Sequence, residues 1–251
     1  MIIGIIPARY GSTRFPGKPL ANIGGKSMIQ RVLEQASQAT SLSKIVVATD
    51  DERIAEAVRA LGGEAIMTRT DHPSGTDRCW EAYHRLVEDG EIDDDPSNYV
   101  INIQGDEPFL DPAQIDELAA ILDGTVELAT QMTSVDSAEL LHDPKEAKIT
   151  VNERNEALYF SRSPIPYLWR VDPAEWHKHH AYHRHVGLYA YRADILGKIT
   201  ELPPSPLEQA ESLEQLRWLE AGYRIKLVET NYQTPSVDDP ADIEKALRSL
   251  Q

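Results

Sequence analysis

Apolar and polar positions alternate in a regular order along the first 67 residues. Short runs of β-branched side chains indicate buried strands, and apolar residues at helical spacing indicate amphipathic helices. The pattern predicts a strand over residues 1–6, a helix over 27–39, a strand over 44–49, a helix over 52–61 and a strand over 64–67. We expect Pro7 to end the first strand, because proline has no N–H for a central ladder. This βαβαβ order predicts a parallel sheet with helices on both faces.

The alternation continues to the end of the chain. Further strands are predicted over residues 99–103, 127–133, 147–151, 157–160, 186–191 and 224–229. Further helices are predicted over residues 79–87, 112–122, 205–220 and 242–250. The polar and aromatic stretch 168–182, with Trp169 and Trp176, indicates an excursion from the sheet that could form a lid or a subunit contact. A length of 251 residues fits one large α/β domain or two small ones.

Ligands of parallel sheets bind beyond the carboxyl ends of the strands, so three loops are expected on one rim. They are residues 7–18, Asp50 with Asp51, and residues 68–78. The first carries Arg9, Arg14 and Lys18 among glycines and hydroxyls, including Gly11 and Ser12. Glycine lets backbone N–H groups approach a polyphosphate and the cations offset its charge. The loop matches neither the P-loop nor the GxGxxG pattern, and a solvated surface loop is the alternative.

Two other segments of this rim carry candidate ligand groups. Ser74, Gly75 and Thr76 come just before a predicted helix, so a hydroxyl there can cap the helix or contact a base or a sugar. Asp106 is the first acidic residue after a central strand. Its carboxylate could hold the Mg²⁺ that accompanies a triphosphate, or it could serve a turn or a helix cap.

Three later positions are weaker candidates. Asp238 is a second possible carboxylate in a segment that also reads as a turn and a cap. Arg162 follows a strand and could hold a carboxylate bidentately, or be an ordinary surface arginine. His185 stands at a strand entrance, where it could hydrogen-bond a polyol. The other histidines between residues 177 and 183 are interpreted as a solvated loop, because neither cysteine nor an HExxH motif accompanies them.

Composition narrows the function classes. The formal net charge of −16 argues against nonspecific binding to nucleic-acid backbone or anionic membrane, and it makes three cations in one loop more notable. Cys79 is the only cysteine, so we expect no intrachain disulfide and a reducing, cytoplasmic compartment. No apolar run approaches the ~20 residues of a membrane span, and residues 1–6 are too short for a signal peptide.

An ordered set of motifs along nearly the whole chain resembles one family, the 3-deoxy-manno-octulosonate cytidylyltransferases, or CMP-KDO synthetases. The motifs are IPARYGSTR at 6–14, PGKPL at 16–20, VATD at 47–50, SGTDR at 74–78, NIQGDEP at 102–108, ALYFSR at 157–162, HVGLYAY at 185–191, PSPLE at 204–208, LEQLR at 213–217 and VD at 237–238. Each is weak alone, but the ordered set is specific.

The resemblance implies a Rossmann-like nucleotidyltransferase fold, with a mixed, mostly parallel sheet and helices on both faces. It implies a single domain over residues 1–251, with an excursion at about 161–185 near a homodimer contact. The implied reaction, for lipopolysaccharide biosynthesis, joins CTP and 3-deoxy-D-manno-octulosonate (KDO) into CMP-KDO and pyrophosphate. No nucleic-acid partner and no membrane insertion are expected.

The resemblance also implies residue roles. Arg9, Arg14, Lys18 and Asp106 would be catalytic, and Asp106 with Asp238 would hold Mg²⁺. The nucleotide would contact Pro7, Ala8, Arg9, Gly11, Ser12, Arg14, Lys18, Ser74, Gly75, Thr76 and Gln104. The sugar acid would contact Arg78, Gln104, Arg162, His185, Tyr189, Glu214 and Gln215.

The chain departs from the family pattern at Ser236 and Asp239, where Gly and Thr are common, and in its Trp- and His-rich excursion. These departures leave an 8-amino analogue of KDO, or another acidic sugar, as alternative substrates, since Asp239 would suit an amine. A non-catalytic nucleotide sensor is a second alternative, against which the pairing of Asp106 with Asp238 weighs.

Overall fold

The protein is described by a computed structural model over residues 1–11, 15–232, 237 and 239–248. The strands are β1 (Ile2–Ala8), β2 (Asn22–Ile23), β3 (Lys26–Ser27), β4 (Lys44–Thr49), β5 (Ala65–Met67), β6 (Tyr99–Asn102), β7 (Leu128–Val135), β8 (Lys148–Val151), β9 (Ala157–Ser161), β10 (Tyr182–Arg192) and β11 (Ile225–Glu229). The α-helices are α1 (Met28–Ala36), α2 (Glu52–Ala60), α3 (Gly75–Glu88), α4 (Pro112–Ala119), α5 (Ala138–His142), α6 (Trp176–His179), α7 (Ala193–Thr200), α8 (Pro206–Glu211), α9 (Gln215–Glu220) and α10 (Pro240–Arg248). Short 3₁₀ helices occupy Lys18–Leu20 and Pro173–Glu175.

The main sheet has the strand order β11-β7-β10-β6-β1-β4-β5, and β8 and β9 extend it from β10. β1 is parallel to β4 and β6, β4 is parallel to β5, and β7 is parallel to β11. β10 is antiparallel to both of its neighbours on this path, β6 and β7. Six of the seven strands on the path therefore run one way. The prediction of a mixed, mostly parallel sheet is confirmed.

Helices cover both faces of the sheet, because successive side chains of each strand point to opposite sides. Ile3 and Ile5 of β1 pack into a core with residues of α3, α7 and α9. Ile6 and Ala8 of the same strand pack into a second core with residues of α1, α2 and α4. The strand buries both faces, as its almost wholly apolar, isoleucine-rich run predicts.

The expectation that Pro7 ends the first strand is wrong. β1 continues through Pro7 to Ala8, and these two residues pair with Ala48 and Thr49 of β4. The register with β6 on the other side reaches only to Ile5. Pro7 therefore lies where the strand has one neighbour, and proline is tolerated at such an edge position. The strand delivers Pro7 and Ala8 to the rim.

The single helix predicted over residues 205–220 is divided into α8 and α9. Ser212 has a left-handed φ of 52° and ends α8. The main-chain carbonyl of Glu211 accepts a hydrogen bond from Nε of Arg162 at 2.7 Å, and that of Ser212 accepts one from Nη2 at 3.2 Å. The Arg162 side chain, just after β9, thus donates to carbonyls that would accept backbone N–H groups in a continuous helix.

The predicted excursion contains a small core of its own. Trp176 and Tyr182 are buried with Val135 and Leu141, so the segment packs on the end of β7 and on α5. His183 belongs to β10 and not to a solvated loop, which corrects the interpretation of that residue. Three helices, α5, α6 and α7, were not predicted as helices from the sequence. Among the helices of the described ranges, none combines the length and the apolar composition needed to cross a bilayer.

Candidate active site

A cavity of about 220 Å³ opens at the carboxyl ends of β1 and β6. Predicted nucleotide, sugar and catalytic residues line it together: Pro7, Ala8, Arg9, Lys18, Ser74, Gly75, Arg78, Gln104 and Asp106. Pro19, His72, Pro73 and Gly105 complete the lining. The parallel-sheet rule thus brings together loops that are about a hundred residues apart in sequence.

Lys18 and Asp106 form the charged centre of this cavity. Nζ of Lys18 lies 2.8 Å from Oδ2 of Asp106, and both side chains are largely shielded from solvent. Gly17 precedes Lys18 with a left-handed φ of 70°, and its N–H donates to the Tyr10 carbonyl at 3.0 Å. The turn requires this backbone conformation, which suits glycine, and it returns Lys18 to the rim. Arg9 also lines the cavity and is exposed.

The loop after β6 is held tightly against β1. A Cβ atom at Gly105 would lie 2.7 Å from the main-chain oxygen of Pro7, so this approach requires glycine. Nε2 of Gln104 donates to the Gly187 carbonyl of β10 at 2.9 Å. The N–H of Val237 donates to the Asp106 carbonyl at 3.0 Å. Asp106 is therefore positioned by contacts to three separate parts of the chain.

The Ser74–Thr76 turn does cap a helix. Ser74 Oγ accepts the N–H groups of Thr76 at 3.1 Å and Asp77 at 3.3 Å, so α3 begins at Gly75, four residues before the predicted start. The same hydroxyl lies 2.6 Å from Oδ2 of Asp77 and 3.0 Å from Oε1 of Glu214. Ser74 and Gly75 still line the cavity although Ser74 caps the helix.

Glu214 joins this turn from the start of α9. Its Oε2 accepts a hydrogen bond from Oγ1 of Thr76 at 3.1 Å. Burial raises the pKa of Glu214, and the hydrogen bonds from Ser74 and Thr76 offset only part of that rise. Ser74 has one proton to share between Asp77 and Glu214, and a neutral Glu214 can supply the second. Glu214 thus contacts the predicted nucleotide turn, although the family pattern places it beside the sugar.

Arg78 is almost fully buried at the floor of the cavity. Its Nη2 lies 3.0 Å from Oδ2 of Asp50, and its Nη1 donates to Oγ1 of Thr68 at 2.5 Å and to the Arg69 carbonyl at 3.2 Å. These bonds satisfy much of the guanidinium and hold the residue 68–78 loop against the end of β4. Arg78 therefore has a structural function as well as a place in the lining.

His185 and Tyr189 form a second group, outside the cavity lining. The His185 ring packs edge-on against Phe160 and 5.0 Å from the Tyr189 ring. Burial, with a smaller effect of the Arg184 charge, lowers the pKa of His185 to about 3. Nε2 of His185 lies 3.1 Å from Oγ1 of Thr130. These predicted sugar residues are drawn together by an aromatic core around β10.

Gln215, at the start of α9, has an unsatisfied hydrogen-bond donor. The residue is 5% exposed and its buried Nε2 has no hydrogen-bond partner among the described residues. A buried amide without a partner costs stability, so such groups often await a ligand or water.

Arg162 lies apart from the cavity lining. Its guanidinium donates to the carbonyls of Pro144 at 2.9 Å, Glu211 and Ser212, so three backbone groups occupy it. No carboxylate ligand is needed to satisfy it in this arrangement. Gly11 is exposed and outside the lining too. The predicted residues Ser12, Arg14 and Asp238 lie outside the described residues.

His72 is the lining residue whose side chain the sequence did not single out. It lies two positions before the Ser74 cap, and its Nε2 is hydrogen-bonded to Oε2 of Glu81 on α3. The clue in the sequence was its position on the predicted rim loop, but the ring direction depends on a partner nine residues away.

Comparisons with known proteins agree with this geometry. The cytidylyltransferase family profile matches residues 3–226. The 3-deoxy-manno-octulosonate cytidylyltransferase of Cytophaga hutchinsonii is 50% identical over 243 residues, covering 96% of this chain and 94% of that protein. The enzyme of the same name from Parabacteroides distasonis is 50% identical over 253 residues, covering 99% and 97%. The structure of CMP:2-keto-3-deoxy-manno-octonic acid synthetase complexed with CTP superposes with a TM-score of 0.88 at 45% identity, covering 99% of this chain and 98% of that one.

These matches span the rim loops, the whole sheet and the cavity. The chain belongs to the 3-deoxy-manno-octulosonate cytidylyltransferase family of nucleotidyltransferases.

Proposed function

We propose that the protein transfers CMP from CTP to KDO and releases pyrophosphate. The observation that carries the proposal is the single cavity in which the basic loop, the Ser74–Gly75 turn and Asp106 meet. It offers cations for a triphosphate, backbone groups for a nucleoside and a carboxylate at the point between them. Family membership supplies the choice of base and sugar.

The chain's own residues account for phosphoryl-transfer chemistry without a covalent intermediate. The anomeric hydroxyl of the sugar attacks the α-phosphorus in line with the departing pyrophosphate. Arg9 and Lys18, with Arg14, offset the charge that moves onto the leaving group. Burial raises the pKa of the Cys79 thiol, so this cysteine stays protonated and is no nucleophile.

The residues present also fit a magnesium ion, which we propose as the cofactor. Asp106 presents a hard carboxylate oxygen to the cavity, and the bond from Val237 N–H to the Asp106 carbonyl brings the segment next to Asp238 to the same loop. Mg²⁺ prefers one or two carboxylates together with substrate phosphates and water. Bound there, the ion would stabilise negative charge on the reacting phosphates.

We assign the sugar acid to the region between the cavity and the β10 group. Gln104 links the two, since it lines the cavity and bonds to Gly187 of β10. Gln215 offers its unpartnered amide, His185 and Tyr189 offer neutral polar atoms for hydroxyls, and Glu214 offers its carboxyl oxygens. Arg78 lines the same cavity, whereas Arg162 would have to release backbone carbonyls to bind the sugar carboxylate.

The environment of Asp239 favours KDO over its 8-amino analogue. One carboxylate oxygen of Asp239 accepts the N–H of Ala241 at 2.9 Å, which is the geometry of a cap at the start of α10. Asp239 is also not among the described residues that line the cavity, so this carboxylate is not placed to meet an amine on the substrate. The departure from the family pattern at this position thus has a local structural reason.

A product assay tests the proposal. The protein is incubated with CTP and Mg²⁺ and with KDO, 8-amino-KDO or other sugar acids, and pyrophosphate and nucleotide sugars are measured. We expect pyrophosphate release and CMP-KDO, with slower turnover of the 8-amino sugar. A CMP product from another sugar alone would overturn the assignment of KDO. CTP binding without pyrophosphate release would instead indicate a nucleotide sensor.

We further propose a cytoplasmic homodimer of single-domain chains, each with residues 1–251 as one nucleotidyltransferase domain. The segment 161–185 carries two highly exposed aromatic side chains, Tyr167 at 68% and Trp169 at 74%. Large aromatic groups are enriched at protein interfaces. A single buried cysteine suits a reducing compartment.

The double substitution Tyr167→Ser with Trp169→Ser is expected to shift the protein from dimer to monomer, because it removes the apolar part of the proposed contact. Light scattering after size-exclusion chromatography measures the mass of both proteins. Leu61→Ser, at another exposed apolar position, is the control and stays dimeric. A dimeric double variant would place the contact elsewhere.

A further inference from the structure

His72 stands in the cavity wall beside the proposed nucleoside turn. It lies in the loop between β5 and α3, and it lines the cavity together with Ser74 and Gly75. Only 10% of its side chain is exposed. Neither the reaction chemistry nor the roles proposed above use this ring.

A carboxylate fixes the orientation of the ring. Glu81 accepts His72 Nε2 and the N–H of Arg69 on one oxygen, while Nε and Nη2 of Arg85 donate to the other at 2.9 and 2.6 Å. Burial raises the pKa of Glu81, but the hydrogen bonds from Arg69, His72 and Arg85 outweigh it, and the net effect lowers the pKa. Glu81 is therefore an anion that accepts the proton of Nε2.

This bond decides what His72 presents to the cavity. In the neutral imidazole one ring nitrogen donates and the other accepts. With the proton on Nε2, the lone pair lies on Nδ1. Among the residues that the structure describes, Nδ1 has no hydrogen-bond partner, and it is not sealed from solvent. His72 thus offers an oriented acceptor in the cavity wall.

Holding the loop in place does not by itself explain the imidazole. Glu81 already binds the loop through the N–H of Arg69. Arg78 binds it a second time through Thr68 and the Arg69 carbonyl. With both ties in place, the distinctive contribution of a histidine is the second ring nitrogen, which faces away from Glu81.

We propose that His72 is a nucleotide-binding residue whose Nδ1 accepts a hydrogen bond from the cytidine part of CTP. The inference rests on the proposed function, which puts the nucleoside at the Ser74–Gly75 turn. The phosphate half of the cavity, with Arg9, Lys18 and Asp106, comes from the loops after β1 and β6 instead. Cytidine has two donors that we assign to this contact, its 4-amino group and its ribose 2′-hydroxyl.

An acceptor at this place would give selectivity. If it meets the 4-amino group, it disfavours UTP, whose oxygen at that position would face the lone pair. If Nδ1 accepts from the ribose 2′-hydroxyl, it disfavours 2′-deoxy-CTP instead. Both outcomes follow from the same chemistry, and binding of three nucleotides separates them.

The test measures dissociation constants of CTP, UTP and 2′-deoxy-CTP by calorimetry, together with KM for CTP and KDO. His72→Ala is expected to weaken CTP binding by about tenfold, because it removes one hydrogen bond to a buried polar group. The KM for KDO and kcat should change much less. If His72 contacts the base, the dissociation constant of UTP should be unchanged in His72→Ala. If His72 contacts the 2′-hydroxyl, the dissociation constant of 2′-deoxy-CTP should be unchanged instead.

Two further variants separate binding from loop support. His72→Gln can keep the bond to Glu81 but loses the acceptor at Nδ1, so we expect it to be as defective as His72→Ala. His72→Asn keeps a polar atom near the position of Nδ1 and should recover part of the affinity. His84→Ala, at an exposed histidine of α3 that lies beside Glu88 and Trp80, is the control.

The proposal fails if His72→Ala binds CTP as the unmodified protein does, or if His72→Gln restores binding. It also fails if CTP, UTP and 2′-deoxy-CTP weaken equally, because the nucleoside is then not what His72 contacts. Ser74→Ala separates this from the proposed function. Weaker CTP binding in Ser74→Ala with normal binding in His72→Ala would reject His72 alone, whereas normal binding in both would reject the nucleoside site itself.

Discussion

Asp106→Asn is expected to lower kcat by about a thousandfold or more, because it removes the charge that the proposed Mg²⁺ and the reacting phosphates require. The side chain keeps its size. The bond from Val237 N–H goes to the main-chain carbonyl of Asp106, so it survives the substitution. Lys18 keeps its charge and its place in the cavity lining, where the triphosphate is proposed to bind. We therefore expect a folded protein that binds CTP and does not turn it over.

Steady-state pyrophosphate release and calorimetric CTP binding check this result together. Asp123→Asn is the matched control, since its carboxylate accepts hydrogen bonds from Thr125 and Val126 in an exposed turn. It should keep full activity. A kcat within a few-fold of normal for Asp106→Asn would remove Asp106 from the metal site, and loss of the folded state would assign it a structural role.

Acid is expected to destabilise the protein through His185. The folded pKa of about 3 lies below the ordinary value of 6.5 because the ring is buried, with a smaller effect of Arg184. Between these values the unfolded chain holds a proton that the folded one does not, so the free energy of unfolding falls as the pH falls below about 6.5. The loss is about 2 kcal/mol by pH 5 and about 5 kcal/mol over the whole window.

His185→Gln isolates this contribution, because glutamine cannot take up a proton and can still donate to Thr130. Urea unfolding at pH 7 and pH 5 gives the free energy of unfolding of both proteins. We expect the difference between variant and parent to move by about 2 kcal/mol in favour of the variant at pH 5. The exposed His84→Gln should show no such shift. If the free energy of unfolding falls equally between pH 7 and pH 5 in His185→Gln and in its parent, His185 is not held neutral.

Much of the cavity could be predicted because its residues follow strands directly. Pro7, Arg9 and Asp106 need only the buried runs before them and the rule that parallel strands end on one rim. The capping alternative for Ser74 was correct as well, since a cap depends on neighbours within three residues. For these positions a local pattern and one topological rule suffice.

Other site residues depend on long-range contacts. The guanidinium of Arg162 donates to carbonyls at the break between α8 and α9, which lie about fifty positions further along the chain. The sequence shows only apolar residues at helical spacing in this segment, which predicts one continuous helix. The direction of His72 likewise depends on Glu81, which is held by Arg85 one turn further along α3.

By itself, the sequence determined the order of the main-sheet strands and of most helices, the mixed sheet with helices on both faces, and the family. These follow from local periodicity and from short motifs, which do not depend on how distant segments pack. Only the tertiary structure decided which candidate side chains share a cavity. It joined Lys18 to Asp106 across 88 positions and Glu214 to Ser74 across 140, and it directed Arg162 towards backbone carbonyls. Side-chain direction is set by partners that chain order does not reveal, and at this site most of those partners come from other loops.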